Sequence, residues 1–529
     1  MAVAQVLSRA QLGLDSPLVQ IEAHLGSGLP GFSIVGLPAP VVRESRERVR
    51  SAILNSGYDF PSGRITVNLA PVELAKEGGR YDLPIALALL VASGQLERRR
   101  HGSSECYGEL GLGGELRPVR GLLLAAIHAA RAGHELVVPD ADLAEVNLAR
   151  HPSAHGFRDL AGVCAFVSAA PASRGADPQQ PIAPGHIVSI EEQYCSFDEV
   201  KGQGRSKRTL AIAAAGGHSL LMVGPPGSGK SMLATRLPTL LPPLTEDEAM
   251  EVAGIASIGP QGFDPGRWGQ RPFRAPHHAA SANAIVGGGS KLRAGEISLA
   301  HRGVLFMDEL PEFDRRVLEA LREPLESGAI TLARAAGRLQ LPAEFQLVAA
   351  MNPCPCGYLG DDAHDCRCGP RRVQRYRDRI SGPLLDRIDL HIEVPRLDLG
   401  ELQRATAADA ASPTGSTGLG GAALASAVRE ARELQQQRQR RCNARLDQAG
   451  IEAHCRATPP AWRLLERAGQ QFALSARGFH RLLKVARTIA DLAGEGLILP
   501  THVAEAATLR LTAGGPKAGS PRPTVPWTP

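Results

Sequence analysis

A glycine-rich turn between an apolar segment and a helix is the feature that most constrains how this chain folds. Residues 224–231 read Gly-Pro-Pro-Gly-Ser-Gly-Lys-Ser, follow the apolar residues 218–223 and precede a predicted helix over 231–236. Glycines let backbone amides curl around phosphate oxygens, and a helix N-terminus directs positive charge at the same anion. Because strand, turn and helix occur in this order, we interpret residues 224–231 as a phosphate loop rather than a chance glycine-rich turn.

The phosphate loop predicts ATP with Mg²⁺ as the bound cofactor. Lys230 can reach the β- and γ-phosphates, and the Ser231 hydroxyl can ligate Mg²⁺. The residues predicted to contact the nucleotide are Gly224, Pro225, Pro226, Gly227, Ser228, Gly229, Lys230 and Ser231.

Two further apolar segments end in polar residues that complete a hydrolytic site. Residues 304–307 form a strand-like run that delivers Asp308 and Glu309, and ligands of open α/β sheets bind at such strand ends. Asp308 is predicted to hold the metal shell, and Glu309 to orient and deprotonate the attacking water. Residues 345–351 lead to Asn352, which can position that water or, alternatively, only begin a turn.

Three stretches with the composition of linkers or tails divide the 529 residues into several domains. Strand and helix signals alternate through the centre, which predicts the α/β class with a doubly wound parallel sheet. We assign an N-terminal domain to residues 1–170, a linker to 171–190 and an ATPase core to 191–400. A second linker is assigned to 401–422, a helical lid to 423–512 and a disordered tail to 513–529.

Charge and hydropathy exclude some functional classes. The net charge of +5 is small for this length, so it permits nucleic-acid binding without requiring it. The sequence contains no apolar run long enough to span a bilayer and begins without a signal-peptide pattern, so we expect a cytoplasmic protein without membrane contact. Nine cysteines, an odd number, argue against a disulfide framework.

Four of the cysteines lie within fifteen residues and offer a metal site. Four thiolates suit structural Zn²⁺, although the C-x-C spacing is tighter than the usual C-x₂-C. His364 could replace one ligand, and reduced thiols that brace a loop are the alternative. Adjacent side chains on a helix or strand point in different directions, so we expect a structural or interface role for His277 and His278 rather than a shared metal. The four candidate Zn²⁺ ligands are Cys354, Cys356, Cys366 and Cys368.

Six longer motifs lie between residues 197 and 389. They read Phe-Asp-Glu-Val-Lys-Gly-Gln at 197–203, Arg-Pro-Phe-Arg-Ala-Pro-His-His at 271–278, Gly-Glu-Ile-Ser-Leu-Ala-His at 295–301, Asp-Glu-Leu-Pro-Glu-Phe at 308–313, Asn-Pro-Cys-Pro-Cys-Gly at 352–357 and Ser-Gly-Pro-Leu-Leu-Asp-Arg-Ile-Asp at 381–389. These motifs resemble those of the magnesium-chelatase-like AAA+ ATPases, and most of all the competence protein ComM (YifB) group. The resemblance extends from residue 6 to about residue 511.

The resemblance implies an assembly and two arginine roles. Members of the family form ring hexamers with ATP bound between subunits. Arg387 matches the arginine finger that reaches the neighbouring subunit's γ-phosphate, and Arg477 matches the second sensor arginine. The plainer interpretation of each is a solvated or salt-bridged arginine.

The resemblance also implies DNA as a partner. The ComM group is similar to helicases that promote branch migration while incoming DNA is integrated during natural transformation, so recombination proteins are possible partners. Residues 330–341 are typical of a hairpin, and their position matches the hairpin that this class projects into the central pore. Arg334 and Arg338 near its tip are predicted to contact phosphates without reading sequence. An ordinary surface hairpin is the alternative.

The N-terminal domain resembles the Lon-protease-like fold, most clearly at residues 109–121. Proteolysis in that fold needs a nucleophilic Ser and a Lys base. Residues 76–82 contain no Ser, and the helix after Gly121 has no Lys in the expected place. We therefore expect a binding or assembly domain, which weakens an ATP-dependent protease as the function. The rival to a DNA helicase is a magnesium-chelatase-type ATPase that remodels a protein partner.

Overall fold

Two separate β-sheets organise the chain, one in its N-terminal part and one in its centre. The computed structural model describes residues 2–97, 104–169, 197–288, 293–334, 337–361, 363–396 and 420–510. The predicted linker at 171–190, most of the linker at 401–422 and the predicted tail at 513–529 lie outside these residues. The strands are β1 Ala2–Arg9, β2 Leu18–Gly26, β3 Gly31–Val35, β4 Arg64–Ala70, β5 Ser104–Cys106, β6 Glu109–Leu110, β7 Leu116–Arg117, β8 Glu135–Pro139, β9 Ala154–Phe157, β10 Leu220–Val223, β11 Phe273–Arg274, β12 Gly287–Gly288, β13 Arg293–Ala294, β14 Val304–Met307, β15 Ala329–Arg334, β16 Gly337–Pro342, β17 Gln346–Met351 and β18 Leu390–Glu393.

The N-terminal sheet is mixed, with seven strands in the order β3-β4-β2-β1-β5-β8-β9. Alternate residues of β2 (Val19, Ile21 and Ala23) are completely buried, as expected for a strand with one face on the core. Helix Asp82–Ala92 packs on β1 and β2 and is buried on nearly all sides, which explains its lack of an amphipathic pattern.

The helices surround both sheets and make up the C-terminal part of the chain. They are α1 Pro40–Asn55, α2 Asp82–Ala92, α3 Leu122–Ala132, α4 Leu143–Leu148, α5 Leu160–Ser168, α6 Gly204–Gly216, α7 Lys230–Arg236, α8 Glu246–Ser257, α9 Ala282–Val286, α10 Glu296–Leu299, α11 Arg315–Ala320, α12 Arg322–Ser327, α13 Pro370–Arg377, α14 Gly382–Leu385, α15 Gly421–Gln439, α16 Gln448–His454, α17 Pro459–Gln471, α18 Ala476–Leu492 and α19 Pro500–Thr508. Among those in the described ranges, none combines the length and apolar character needed to cross a membrane.

The central sheet is parallel throughout and has the order β11-β14-β17-β10-β18. Strands β14 and β17 are buried along their whole length, which is typical of parallel strands covered on both faces. Because all five strands of the central sheet run in the same direction, their carboxyl ends meet at one edge of that sheet. The α/β class with a helical C-terminal region, predicted from the sequence, is confirmed.

A buried polar network joins the C-terminal helices to the central sheet. The ring of His218, just before β10, lies 3.2 Å from the Asp389 carboxylate and 2.8 Å from the Thr488 hydroxyl. Arg481 donates to Asp389 at 2.6 Å. Burial opposes ionisation of Asp389, but the Arg481 charge and the His218 hydrogen bond hold its pKa below the ordinary value.

The N-terminal sheet region contacts the central region through α3, α4 and α8. The Ser257 hydroxyl donates to the buried Glu145 carboxylate at 2.7 Å, and Arg120 donates to the Pro260 carbonyl at 2.9 Å.

Asp142, within the N-terminal region, accepts from the Val119 N–H at 2.9 Å, and burial raises the pKa of Asp142 to about 7.

Candidate ATP-hydrolysis site

The backbone of the phosphate loop requires glycine at several positions. Gly227 and Gly229 have φ values of 76° and 86°, which disfavour any residue with a side chain. A Cβ on Gly224 would lie 2.2 Å from the Val394 carbonyl oxygen, so only glycine fits there. The Gly224 N–H donates to the Met351 carbonyl at 3.2 Å, which ties the loop to the end of β17.

Lys230 begins helix α7 and is buried beneath the loop. Its ammonium donates to the carbonyls of Gly224 and Pro225, both at 2.8 Å, and lies 3.4 Å from the Asn352 side-chain oxygen. Burial lowers the pKa of Lys230, and the charge of Asp308 acts in the opposite direction. Lys230, which is predicted to bind phosphate, and Asn352, which is predicted to position the water, therefore lie in one site.

The predicted metal ligands also face each other. The Ser231 hydroxyl donates to the Asp308 carboxylate at 2.7 Å, and the other Asp308 oxygen accepts the Glu309 N–H at 2.9 Å. Magnesium prefers oxygen ligands and keeps several waters, so a hydroxyl and a carboxylate at an exposed strand end fit this ion. Glu309 has a φ of 53° and an exposed side chain beside them.

Sheet topology explains why these distant residues meet. β17 pairs with both β10 and β14 in parallel register, so the phosphate loop, Asp308 and Asn352 follow neighbouring carboxyl ends. The arrangement places the Lys230 ammonium, the Ser231–Asp308 pair and the Glu309 carboxylate at one edge of the sheet. Residues of these types in this arrangement can bind a nucleoside triphosphate and activate a water molecule.

One neighbour of the site was not predicted from the sequence. His278 follows β11, the strand beside β14, and its Nδ1 lies 3.1 Å from a Glu309 carboxylate oxygen. The His278 ring is also close to that of His277, with centroids 4.2 Å apart. Two adjacent histidines in a sequence do not indicate which residue they contact. Glu309 is recognised as the neighbour of His278 only because β11 pairs with β14.

Arg387 and Arg477 lie together at a different place. Arg387 is buried and donates to the Glu326 carboxylate at 2.8 Å and to the Pro383 carbonyl at 2.7 Å. Arg477 pairs with the same Glu326 at 3.2 Å, although about two-thirds of its side chain is exposed. Burial raises the pKa of Glu326, but the hydrogen bond and charge of Arg387 outweigh it and lower the value.

The two arginines are on the edge of the sheet opposite the phosphate loop. Arg387 precedes β18, whose Leu390 pairs with Leu220 at the start of β10. The Arg387 carbonyl accepts a hydrogen bond from the Ser219 hydroxyl at 3.0 Å. The phosphate loop follows the other end of β10. A four-residue strand spans roughly 13 Å, so the length of a strand separates the Arg387 backbone from the phosphate loop of the same chain.

The predicted hairpin is present as strands β15 and β16. They pair antiparallel from Ala329 with Pro342 to Arg334 with Gly337. Residues 335–336 at the tip, and the side chains of Arg334 and Arg338, lie outside the described part of the structure.

The four clustered cysteines converge. Their sulfur atoms all lie within 4.8 Å of one another, and the Cys354–Cys356 distance is 3.3 Å. A tetrahedral ZnS₄ site with Zn–S of about 2.3 Å has sulfur–sulfur edges of about 3.8 Å, so the thiols fit this ion. The Tyr358 N–H contributes most to lowering the pKa of Cys356 to about 6. His364 instead pairs with Asp361 and is not part of the cluster.

Models of protein families match three segments of the chain. Residues 196–402 match magnesium chelatase, subunit ChlI, and residues 21–142 match subunit ChlI of Mg-chelatase. Residues 419–510 match the C-terminal part of magnesium chelatase, subunit ChlI.

Curated relatives match over nearly the whole length. The uncharacterised protein YifB of Salmonella typhimurium is 46% identical over 511 residues, which cover 96% of this chain and 97% of the relative. Competence protein ComM of Haemophilus influenzae is 45% identical over 520 residues, with the same coverage. An uncharacterised protein of Mycobacterium tuberculosis strain H37Rv is 40% identical over 515 residues, or 97% of this chain and 99% of the relative. The chain therefore belongs to the magnesium-chelatase-like AAA+ family, together with the competence protein ComM and the YifB proteins.

Proposed function

We propose that this protein is an ATPase motor whose hydrolytic site is the group around Lys230. The Ser231–Asp308 contact carries the proposal, because it joins the phosphate loop to the second predicted metal ligand. Lys230 neutralises phosphate charge, Ser231 and Asp308 hold Mg²⁺, and Glu309 takes a proton from the attacking water. Asn352 helps to orient that water. ATP brings the reactive phosphoanhydride bond, and the protein residues align the water with it.

The active form that we propose is a hexameric ring of identical subunits. Arg387 and Arg477 lie at the amino edge of the central sheet, whereas the phosphate loop follows the carboxyl edge. Each subunit therefore offers its arginines to the ATP of a neighbouring copy rather than to its own. In the transition state, Arg387 would exchange Glu326 for the phosphoryl oxygens, where a positive charge stabilises the developing negative charge.

We also propose that the four thiolates hold one structural Zn²⁺. Four protein ligands leave no open coordination position, so the ion would stabilise the fold locally and take no part in hydrolysis. The mutual sulfur distances support this proposal.

The substrate that we propose is DNA. ATP hydrolysis would drive translocation along single-stranded or branched DNA, and thereby branch migration when incoming DNA is integrated with the help of recombination proteins. The name of the Haemophilus relative, competence protein ComM, supports this choice. The hairpin of β15 and β16 lies in the chain between the strands that carry Asp308 and Asn352, so contact with DNA can be transmitted to the hydrolytic residues.

A protein-remodelling ATPase is the second candidate. It is favoured by the match of all three segments to magnesium chelatase subunit ChlI. ATP turnover measured with no DNA, with single-stranded DNA and with branched DNA separates the two. DNA stimulation that falls steeply with salt supports the DNA motor, because bound phosphates release counterions. Unchanged turnover at every salt concentration contradicts it and favours remodelling of a protein.

A further inference from the structure

The cysteine cluster is continuous with the ATP site along the chain. Cys354 comes two residues after Asn352, whose side-chain oxygen lies 3.4 Å from the Lys230 ammonium. Cys354 is completely buried, and Arg377 of helix α13 donates to the intervening Pro353 carbonyl at 3.4 Å. Residues 353–361 and 363–368, here named the cysteine loop, therefore begin inside the hydrolytic site.

The cysteine loop also contacts the phosphate loop directly. A Cβ on Gly357 would lie 2.6 Å from the Pro226 ring, so the Pro226 side chain packs against the Gly357 backbone where only glycine fits. Gly357 has a φ of 88°, a second reason why a larger residue would strain this turn. The turn immediately follows Cys356, so the position of that thiolate decides where the turn is placed.

A third contact brings an arginine to the phosphate loop. Arg396 follows β18 at the carboxyl edge of the sheet, and its guanidinium is 3.9 Å from the position that a Cβ on Gly227 would occupy. It lies 3.2 Å from the His364 ring and 3.9 Å from the Asp361 carboxylate. His364 in turn pairs with Asp361 at 3.1 Å and stacks on Tyr358. All three partners lie between the two cysteine pairs.

We infer that the metal-bound cysteine loop is a clamp on the ATP site, and that it holds Arg396 where the guanidinium binds nucleotide phosphate. This inference rests on the proposed ATP and Zn²⁺ sites and goes beyond both. Without the metal, the two cysteine pairs separate, and the contacts of Asp361 and His364 no longer hold the Arg396 side chain in position. Arg396 belongs to the same chain as Lys230, which distinguishes it from Arg387 and Arg477.

The test uses the full-length chain and a non-hydrolysable ATP analogue with Mg²⁺, with affinity measured by calorimetry and zinc by elemental analysis. We expect the parent to contain about one zinc per chain, as one closed site requires. Cys366→Ser with Cys368→Ser should lose the zinc and bind the analogue about tenfold more weakly or worse. Cys442→Ser, a cysteine outside the cluster, is the matched control and should retain both properties.

Arg396→Ala separates the clamp from the metal and serves if the double cysteine variant does not fold. It should keep its zinc but lose about tenfold in affinity, the size expected for a charged hydrogen bond, and Arg396→Lys should recover part of the loss. Parent affinity in Arg396→Ala, or in a folded zinc-free double variant, overturns the inference. A parent that binds no analogue instead refutes the proposed ATP site, and a parent without zinc refutes the proposed metal.

Discussion

The Ser231 hydroxyl and the Asp308 carboxylate lie 2.7 Å apart, although 77 positions separate them in the chain. Helix α7 presents the first and the end of β14 presents the second, and these elements meet only because β10 and β14 both flank β17. The pair supplies two oxygen atoms at the place where the phosphate loop ends. Formation of the proposed Mg²⁺ site therefore depends on correct assembly of the central sheet.

Lys230→Ala and Glu309→Gln should fail at different steps. The first variant loses the ammonium that neutralises phosphate, so we expect neither tight ATP binding nor turnover. The second retains the phosphate loop and the Mg²⁺ ligands, so it should bind ATP yet hydrolyse it very slowly. Nucleotide binding and phosphate release, measured on each variant, check this pair. Glu312→Gln removes a nearby carboxylate that pairs with Arg379, and it should hydrolyse ATP like the parent. Near-normal hydrolysis by both site variants contradicts the assignment.

Arg387→Ala should bind ATP but hydrolyse it about 10³-fold more slowly or worse, as expected when a trans-acting arginine is lost. Mixing it with Lys230→Ala subunits should recover part of the activity, because one subunit type supplies the site and the other the arginine. The measurement is steady-state turnover as a function of mixing ratio. Arg477→Ala, mixed with Lys230→Ala in the same way, tests whether the second arginine also acts between subunits. No recovery at any ratio would assign Arg387 a role within its own chain.

Arg334→Ala with Arg338→Ala should remove most of the DNA stimulation of ATP turnover and leave basal turnover intact. The hairpin strands β15 and β16 carry no residue of the ATP site, so basal hydrolysis does not need these side chains. The matched control is Arg315→Ala with Arg316→Ala, which also removes two positive charges but at exposed positions of helix α11. A double hairpin variant that responds to DNA as the parent does would remove the hairpin from the DNA pathway.

Asp142→Asn should change the pH dependence of stability. Burial raises the folded-state pKa of Asp142 from 3.8 to about 7. Between these values the folded state binds more protons than the unfolded state, so this group's contribution to stability falls as pH rises through the window. Asn cannot ionise and can still accept from Val119, so the variant should unfold at a higher temperature than the parent at pH 8. The difference should disappear towards pH 4, and a shift of about three pKa units limits it to about 4 kcal/mol.

Thermal unfolding across this pH range checks the prediction for Asp142. Asp140→Asn alters a carboxylate on the same turn that pairs with Arg158 near the surface, and its melting curves should follow those of the parent. Parallel curves for Asp142→Asn and the parent at every pH would contradict the prediction.

The strands and loops around the candidate ATP site could be predicted because local patterns specify them. Residues 304–307 are predicted as a strand and form β14, and residues 231–236 are predicted as a helix and lie within α7. Strand β10 begins at Leu220 rather than at residue 218, since the His218 N–H donates to the Ala213 carbonyl at the end of helix α6. The C-terminal helices begin at Gly421, two residues before the predicted boundary of the lid.

Contacts between distant elements could not be predicted. Nothing near Glu326 in the chain indicates that it pairs with both Arg387 and Arg477, since the three residues belong to different helices and turns. Ser257 and Glu145 likewise meet only when the two sheet regions pack together. Such pairs depend on the orientation of whole elements, which hydrophobic periodicity does not determine.

The network around Asp389 has a mechanical consequence. Arg481 of helix α18 donates both to Asp389 and to the carbonyl of Arg387, so this helix grips the backbone of the proposed trans arginine itself. A helix of 17 residues is about 25 Å long, and α18 is held near its N-terminal end by Arg481 and towards its other end by Thr488, which contacts the His218 ring. A movement of α18 would therefore shift the Arg387 backbone, and a movement of the Arg387 backbone would shift the helix.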